Sequence, residues 1–318
     1  MDHIKNSPNL PGSEPPVVMM LPEPNDINSF SPWEIDFRQI EAGPMETKVT
    51  VRAGSILTLL NISMSRAVHQ TGVSPKGLLT FGIIRRNEVQ VWQGQDTSAS
   101  ELLSFGSSDP FDGVSATRFC GTTVSIREHD IEHLADALGL NIPESLRTSA
   151  TPAIYVHHKR LAAIRQLSEQ LTDGHDQPMT ENVQEEIVAN LLLVANSYDQ
   201  HEDKSTPLIR SRTVSKTTEL MLALLGENVP ISKICKEVGV SWRTLDRSFL
   251  EKFGIGPKKY YHRLRLNRVR SDLIHKANHY NISDIANRWG FWHLGQFAQD
   301  YHNMFGELPS TTMRISGE

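Results

Sequence analysis

A run of cationic side chains occupies a short segment near the end of the chain. Between Lys258 and Arg270 the sequence has six lysine or arginine residues and no acidic residue. Ammonium and guanidinium groups in such a run can bind successive phosphate groups of a nucleic acid, because each contact releases a condensed counterion. A run of this kind can also be an ordinary solvated helix face. The sequence on either side of the run distinguishes the two interpretations.

The cationic run lies between two copies of one longer pattern. The first copy extends from Ile231 to Pro257 and the second from Ile282 to Pro309. Corresponding residues are 51 positions apart in the first half of the pattern and 52 in the second half, because the second copy has one extra residue in its turn. This repetition indicates an internal duplication of one structural unit.

Each copy predicts two short helices that meet at a glycine. Ser232 and Ser283 are expected to cap the first helices, since a hydroxyl group can accept from the unpaired amides of a first helical turn. Gly239 and Gly290 can adopt a positive φ without strain, and they therefore end those helices. Ser241 is expected to cap the next helix. This is a helix-turn-helix arrangement, which also occurs in proteins that do not bind nucleic acid.

The second helix of each copy has one apolar face and one polar face. Apolar residues recur at every fourth position and predict the buried faces, at Leu245, Phe249 and Phe253 in the first copy and at Phe297, Tyr301 and Phe305 in the second. The opposite faces are left to meet another molecule, and they carry Trp242, Arg243, Arg247, His293, Gln296 and Gln299.

Charge is divided unevenly along the chain. Residues 208–318 contain 17 lysine and arginine residues and 10 acidic residues, whereas the rest of the chain contains 15 and 27. The formal charges of the two parts are therefore plus 7 and minus 12. A basic module that contains two helix-turn-helix patterns favours phosphate contact as the use of the cationic run. Phosphate contacts are predicted at Ser241, Lys258, Lys259, Arg263, Arg265 and Arg268.

The segment between the two copies predicts one long helix. Pro257 suits a first helical turn, and Leu266, Val269 and Leu273 continue an apolar stripe to about His275. A helix of that length spans about 28 Å, and successive major grooves on one face of B-DNA are about 34 Å apart. A single chain could therefore hold two helices in adjacent major grooves.

The stretch from about Pro230 to Arg314 resembles the DNA-binding domain of AraC/XylS-type bacterial transcription regulators. In that family a long helix joins two helix-turn-helix units, and the second unit ends in a Gly-Phe, aromatic, Phe-Gly, Pro signature. The signature stands here as Gly290-Phe291, Phe297, Tyr301, Phe305-Gly306 and Pro309. The resemblance implies double-stranded DNA and RNA polymerase as partners.

Position by position, the resemblance implies which side chains read bases. These are Trp242, Arg243, Asp246 and Arg247 in the first copy and His293, Gln296 and Gln299 in the second. Arginine can donate two hydrogen bonds to guanine, and glutamine can pair with adenine N6 and N7. Trp242 and His293 could instead pack on the scaffold or contact phosphate. Asp246 and Asp300 depart from a cationic face, although a carboxylate can accept from a cytosine amino group.

The first half of the chain predicts a different fold class. Residues 1–30 are polar and proline-rich, without the apolar core of a signal peptide, and predict a mobile tail. Residues 31–148 contain short alternating segments separated by turns, which predict a closed sandwich or barrel. The predicted strands include Trp33–Phe37, Val49–Val51, Ile56–Ile62, Leu78–Ile84, Val89–Trp92, Leu102–Phe105 and Arg118–Ile126.

The alternating segments resemble the cupin-like regulatory domains that precede such DNA-binding modules. A barrel of this size can enclose one small effector molecule. Its candidate lining residues are aromatic side chains, which are also common in ordinary cores: Trp33, Phe37, Phe81, Trp92 and Phe119.

Helical periodicity returns after the predicted barrel. A short helix is expected to end at Gly139, and two longer helices are expected within residues 149–198, one of them beginning at Thr151-Pro152. These longer helices could be internal core, but the family resemblance implies a homodimer that pairs through them. Residues 199–217, rich in charge, predict a linker, and residues 218–318 the DNA-binding domain.

Two features of the sequence bear on other kinds of chemistry. His129, Glu132 and His133 match the H-x-x-E-H form of a zinc peptidase helix, but the segment predicts a short surface helix, so we expect neither a metal nor a cofactor. The sequence has only two cysteines, Cys120 and Cys235, and no export signal, which suggests a reducing cytoplasm, and Cys235 is expected to be a small buried residue. The apolar run from Ile187 to Ala195 is too short to span a membrane.

The expected protein is thus an α+β multidomain transcription regulator without catalytic residues. It would have a cupin-like first domain, then an all-α domain with two helix-turn-helix units, and it would act as a ligand-responsive activator. The alternative from another class is a cupin-type metal-dependent enzyme with a helical appendage. The strands disfavour that alternative, because they lack closely spaced histidine ligands.

Overall fold

The computed structural model describes residues 15–84, 89–97, 101–149, 154–155, 158–173, 178–198, 208–227, 229–275 and 280–316. The chain divides into two compact units. The first unit consists of the chain up to Phe37 together with residues 46–65 and 70–205. The second consists of residues 38–45, 66–69 and 206–318.

The described strands form two antiparallel sheets. They are β1 (Val17–Leu21), β2 (Glu34–Gln39), β3 (Thr47–Ala53), β4 (Leu57–Met64), β5 (Val68–Val73), β6 (Leu78–Ile84), β7 (Val89–Trp92), β8 (Gln95–Asp96), β9 (Glu101–Gly106), β10 (Pro110–Ser115), β11 (Phe119–Arg127) and β12 (Ile154–Tyr155). The larger sheet has the order β1-β3-β4-β11-β6-β9-β12, and the smaller has the order β2-β5-β10-β7-β8. The sheets form an open sandwich instead of one closed barrel.

The larger sheet is buried on both faces. Four helices follow β11 in the chain: α1 (Glu128–Leu138), α2 (Glu144–Arg147), α3 (His158–Asp173) and α4 (Glu181–Tyr198). Leu57 and Leu59 of β4 belong to one core with α1, α3 and α4, whereas Leu60 and Ile62 line a cavity with side chains of the smaller sheet. Because alternate residues of a strand face opposite sides, burial of both faces explains why β4 is apolar along most of its length.

The alternation pattern located most strands of the first unit, with two corrections. The prediction of a mobile tail over residues 1–30 is wrong from Val17 onward, because β1 pairs with β3 at the edge of the larger sheet and a 3-10 helix follows at Pro24–Ser29. The proline content suggested a tail, but Ile27 is buried. The helix expected at Thr151-Pro152 begins instead at His158, after β12 has paired with β9.

Helices α3 and α4 contribute to the core of the first unit. Their buried side chains lie in the same apolar cluster as the larger sheet, and they include Leu161, Ile164, Leu171, Ile187, Val188, Leu191 and Leu192. The internal-core interpretation of these helices is therefore confirmed. Helix α1 ends at Gly139, as the sequence predicts.

The second unit is built mainly of helices. They are α5 (Leu208–Ala223), α6 (Ile231–Val238), α7 (Trp242–Phe253), α8 (Pro257–His275), α9 (Ile282–Arg288), α10 (Leu294–Phe305) and α11 (Pro309–Ser316). Helices α6 and α7 form the first helix-turn-helix unit, and α9 and α10 form the second. The bounds of α8 and the six predicted buried residues of α7 and α10 are confirmed.

Helix α5 corrects the prediction of a linker over residues 199–217. The part from Leu208 onward is helical, and Val214 and Thr217 are buried against the first helix-turn-helix unit, as is Met221. The charged residues of this segment suggested a linker, but its apolar positions are covered by α6 and α7. The rest of the predicted linker, residues 199–207, lies outside the described residues.

The first turns of α6 and α9 differ from the prediction. The cap positions are Pro230 and Asn281, not Ser232 and Ser283, which lie inside the helices. Asn281 Oδ1 accepts from the backbone N–H of Asp284 at 2.8 Å, so the cap of α9 lies two residues before Ser283, the predicted cap. Ser241 caps α7 as expected, since its hydroxyl oxygen accepts from the amide of Thr244.

Helix α8 has two apolar stripes instead of the one predicted. Tyr260 packs on the rings of Phe249 and Phe253, with ring centroids 5.3 and 4.4 Å apart, and thereby joins α8 to the first helix-turn-helix unit. Leu266 and Val269 lie in a separate core with α9 and α10. At about 100° per residue, Tyr260 and Val269 lie on roughly opposite sides of the helix.

Two short segments from earlier in the chain belong to the second unit. Within that unit the side chain of Asn267 makes two hydrogen bonds of 3.0 Å to the backbone of Gln39. The backbone N–H of Gln39 donates to Asn267 Oδ1, and Asn267 Nδ2 donates to the backbone carbonyl oxygen of Gln39. The ring of His69, fully buried, contacts Phe253 and hydrogen-bonds to the hydroxyl group of Tyr260. These bonds satisfy polar groups that α8 would otherwise bury unpaired.

A pair of glycine substitutions tests the turn of the first helix-turn-helix unit. Gly239 has a φ of 78° and no neighbouring atom that would clash with an added methyl group, so Gly239→Ala meets only backbone strain. We expect it to lower the free energy of unfolding by about 1 kcal/mol. Gly295, in α10 with equally open space, is the matched control, and Gly295→Ala should raise that free energy by about 0.5 kcal/mol. Urea unfolding followed by tryptophan fluorescence measures both values, and equal signs for the two variants would contradict the assignment of strain.

Candidate nucleic-acid interface

Helix α7 exposes the side chains that the sequence assigned to its outer face. Arg243 and Arg247 are exposed, and Trp242 retains 48 % of its accessible surface. Asp246 is half-buried and lies close to Gly256, so it is more recessed than the two arginines. The burial of the opposite face fixes this orientation, because Leu245 and its apolar neighbours cannot turn outward without exposing the core.

Arg247 forms an ion pair with Glu251 one helical turn further along. Its Nε donates to Glu251 Oε1 at 2.8 Å, and the two side chains keep 69 % and 45 % of their exposure. Exposed pairs of this kind are worth only about 0.3–0.5 kcal/mol on a helix. The guanidinium group is therefore oriented by Glu251 but can exchange this partner for a stronger acceptor.

Helix α10 exposes an uncharged set of hydrogen-bonding groups. Gln296 and Gln299 are exposed, and Gln299 Nε2 donates to Asn303 Oδ1 at 3.0 Å. His293 is exposed at the cap position and makes no side-chain cap hydrogen bond. Asp300, which the sequence placed on or beside this face, is half-buried and accepts from Gln296 Nε2 at 2.7 Å.

One hydrogen-bonded pair on the outer face of α7 has an equivalent on α10. The spacing of 52 that relates Phe249 to Tyr301 also relates Arg247 to Gln299 and Glu251 to Asn303. Arg247 and Glu251 lie one turn apart on α7 and form an ion pair, and Gln299 and Asn303 lie one turn apart on α10 and form a hydrogen bond between amides. The duplicated scaffold thus presents equivalent positions with different chemistry.

The predicted phosphate-binding residues differ in exposure. Lys258 and Lys259 are exposed in the first turn of α8, and Ser241 is exposed at the start of α7. Arg263 and Arg268 are half-buried, and burial lowers the pKa of Arg263. The guanidinium group of Arg263 remains cationic at neutral pH, because an arginine in a protein is effectively always protonated.

Arg265 has a different environment from the other cations of the run. Its guanidinium group lies over the rings of Tyr261 and Phe291, 5.1 and 5.3 Å from their centroids. Desolvation in this position lowers the pKa of Arg265. Stacking between two rings restricts the guanidinium group and leaves less of its surface for a phosphate.

An exposed tryptophan outside the predicted set lies beside the outer face of α10. Trp292 keeps 64 % of its accessible surface and precedes the cap residue of α10. Trp242 occupies the corresponding region at the start of α7. The sequence placed Trp242 on the outer face of its helix, whereas the exposure of Trp292 is seen only in the structure.

The aromatic candidates for ligand binding in the first unit divide into two groups. Trp33, Phe37 and Phe119 line a cavity of about 50 Å³ between the sheets, and Gln70 contributes an amide group to the same lining. Phe81 lies in the core that faces the helices. Trp92 is fully buried and packs against Phe105 and Phe111, which also line the cavity.

The H-x-x-E-H segment lies on α1 with its key side chains exposed. His129, Glu132 and His133 are exposed, and Glu132 accepts from Arg147 at 3.1 Å. Among the residues that the structure describes, no three His, Cys, Asp or Glu side chains come together as metal ligands. Cys235 is buried as predicted, and desolvation raises the pKa of its thiol.

In the described part of the chain, no helix has both the length and the apolar character needed to cross a membrane.

Comparison with known proteins finds a helix-turn-helix domain over residues 234–315. The XylDLEGF operon transcriptional activator of Pseudomonas putida is 27 % identical over 190 residues, which are 58 % of this chain and 50 % of that protein. The HTH-type transcriptional activator RhaS of Shigella boydii is 28 % identical over 197 residues, which are 60 % of this chain and 67 % of that protein. The chain thus spans about half the length of the first of these relatives.

A solved structure from Chromobacterium violaceum, a transcriptional regulator titled as having an AraC-type DNA-binding domain, is 32 % identical with a TM-score of 0.32. It aligns with 34 % of this chain and 94 % of its own. The cupin-type enzyme alternative finds no support in these matches. The chain thus contains an AraC-type helix-turn-helix domain near its C-terminal end, and it is similar to regulators of the AraC/XylS family.

Proposed function

We propose that the protein is a sequence-specific regulator of transcription that binds double-stranded DNA with both recognition helices, α7 and α10. One observation carries the proposal. The buried faces of these helices pack on a single rigid helix, while their outer faces expose matched hydrogen-bonding side chains. Side chains such as Arg247 and Gln299 can then reach base edges in successive major grooves, since α8 spans about 28 Å.

Electrostatics support the same interpretation of the second unit. Lys258 and Lys259 are exposed beside the first recognition helix, and the module to which they belong carries a formal charge of plus 7. Phosphate contacts by such cations position a protein on the duplex without reading its sequence. Base discrimination would come from the outer faces of α7 and α10.

The first unit is proposed to bind a small effector between its two sheets. The cavity is lined mainly by apolar side chains, and its polar lining residues are Gln70, Thr122 and Thr123, which suits a compact, mainly apolar molecule with few hydrogen-bonding groups. Its volume of about 50 Å³ is far below the roughly 300–1,000 Å³ of typical ligand pockets. Binding would therefore require the lining rings to move, and an effector would shift the protein toward the conformation with the larger cavity.

Two partners follow from the proposed role. The protein is proposed to act in the cytoplasm as an activator, because the relatives above are named as activators, and contact with RNA polymerase would then be part of its function. A homodimer is proposed to form through the region of α3 and α4. The core role of their apolar faces leaves only their outer faces for such pairing.

The role of Arg247 is tested by binding to specific and random duplexes. A site is first selected from random DNA by the full chain, and Arg247→Ala should then weaken binding to that site by about 1–3 kcal/mol, because one bidentate base contact is lost. Binding to random DNA should change much less. Fluorescence anisotropy over a series of salt concentrations measures both affinities and the salt dependence.

Glu251→Ala is the matched control for Arg247→Ala. It removes the same ion pair but leaves the guanidinium group in place, so affinity for the selected site should be kept or slightly raised. Equal losses on specific and random DNA for Arg247→Ala would identify Arg247 as a phosphate contact. Failure of the wild-type chain to select any sequence would refute the proposed function.

The cavity is tested by thermal unfolding with a panel of small uncharged aromatic compounds. Compounds that enter the first unit should raise Tm in a concentration-dependent way, because they bind only the folded state. Gln70→Leu keeps the apolar lining but removes the amide, so it should weaken the preference for compounds with a hydrogen-bonding group. The same shifts in wild type and variant would show that Gln70 does not face the effector.

The dimer is tested by analytical ultracentrifugation of the full chain. We expect the weight-average mass to rise toward twice 35.7 kDa as concentration increases. A charge substitution on the outer face of α4, such as Glu185→Lys, should shift this equilibrium, since Glu185 is exposed. A mass that stays monomeric at every concentration would contradict the dimer.

A further inference from the structure

Asp300 links the connecting helix to the recognition face of α10. Its Oδ1 accepts from Gln296 Nε2 at 2.7 Å, and its Oδ2 lies 3.2 Å from Nε2 of His262. His262 belongs to α8, and its ring packs edge-on against Phe291 with centroids 5.5 Å apart. The carboxylate therefore receives one donor from the scaffold and one from an exposed candidate base-reading side chain.

The charge of Asp300 fixes which end of the Gln296 amide faces it. An ionised carboxylate accepts hydrogen bonds but donates none, so it selects Nε2 and repels the amide oxygen. One amino hydrogen is then used by Asp300, which leaves the other hydrogen and Oε1 for an outside partner. That remaining donor and acceptor are the pair with which glutamine binds N7 and N6 of adenine.

His262 supports this arrangement as a donor. Burial is the main cause that lowers the pKa of His262, so its ring is neutral at neutral pH, and the nitrogen that faces the carboxylate carries the proton. This bond occupies the second oxygen of Asp300 and holds the carboxylate toward α8. Without the bond from His262, the carboxylate of Asp300 can rotate toward solvent. Its charge would then repel a phosphate, and its hydrogen bond to Gln296 would be lost.

The arrangement belongs to the second copy only. The residues that correspond to Gln296 and Asp300 in the first copy are Thr244 and Ser248, and Ser248 donates its hydroxyl hydrogen to the carbonyl oxygen of Thr244. This bond stays within α7 and includes no side chain of α8. The duplication therefore does not account for the His262–Asp300 pair, whereas a role specific to α10 accounts for it.

We propose that His262 is a positioning residue that acts through Asp300 to hold Gln296 in its adenine-reading orientation. The inference rests on the proposed DNA-binding function. It assigns His262 a role in base preference at one position of the DNA site, distinct from the general contribution of α8 to packing and phosphate contact.

The experiment selects binding sites from random duplex DNA with the full chain and three variants. Gln296→Ala identifies the position that Gln296 reads, as the one position where adenine preference disappears. His262→Phe keeps a ring against Phe291 but removes the donor, and it should reduce adenine preference at that same position by about tenfold. His262→Gln restores a donor nitrogen at a similar reach and should return the preference to within about threefold of wild type.

Each outcome of the selection bears on the inference. The inference is supported if His262→Phe loses adenine preference only at the DNA position that Gln296 reads and His262→Gln restores that preference. Unchanged preference in His262→Phe, equal loss at every position, or no position that depends on Gln296 overturns it while leaving DNA binding intact. If the wild-type chain selects no sequence, the proposed function fails first. Thermal unfolding of each variant confirms that the second unit remains folded.

Discussion

Burial of two apolar stripes on opposite sides of α8 is the constraint on which the second unit depends. Neither helix-turn-helix unit is large enough to bury its own apolar face. Phe249 and Phe253 require the ring of Tyr260, and Phe297 and Tyr301 lie in one core with Leu266 and Val269. Because both cores include the same 19-residue helix, the separation of α7 and α10 follows from the rise of α8 and the rotation between its stripes.

Buried polar groups then fix the register of the helices on α8. Asp272 is buried and accepts from the indole Nε1 of Trp289 at 2.9 Å, which joins α8 to the end of α9. Arg270 binds Glu307 at 2.6 Å, and Glu307 accepts from Thr312 of α11. Apolar contacts alone tolerate sliding, whereas a buried donor or acceptor without its partner costs about 1–3 kcal/mol. These bonds therefore favour one arrangement of the second unit.

Periodicity in the sequence was sufficient to locate the duplicated helices, because their apolar residues recur every fourth position and a glycine with positive φ caps each helix or, in α9, follows the cap residue Trp289. It was not sufficient for features decided by tertiary contacts. Val17–Leu21 is a strand because an edge of β3 is there to pair with it, and α5 is helical where charge suggested a linker. The second stripe of α8 was missed because Tyr260 is a residue type that suits a surface as well as a core. The exposure of Trp292 likewise depends on neighbours that the sequence does not reveal.

The duplication gives two equivalent scaffolds, and the structure changes how their chemistry compares. In the sequence, Asp300 is an acidic residue on or beside the outer face of α10, which departs from a cationic face. In the structure this carboxylate contacts His262 and Gln296. The outer face of α10 therefore presents amide groups, whereas the outer face of α7 is cationic. A guanidinium group attracts any phosphate as well as guanine, so its binding energy depends strongly on salt. Amide groups gain little binding energy from phosphate, but opposite a non-matching base they leave a buried hydrogen-bonding group without its partner. Affinity would therefore come mainly from α7, and α10 would contribute discrimination that persists at high salt, in addition to fixing spacing and register.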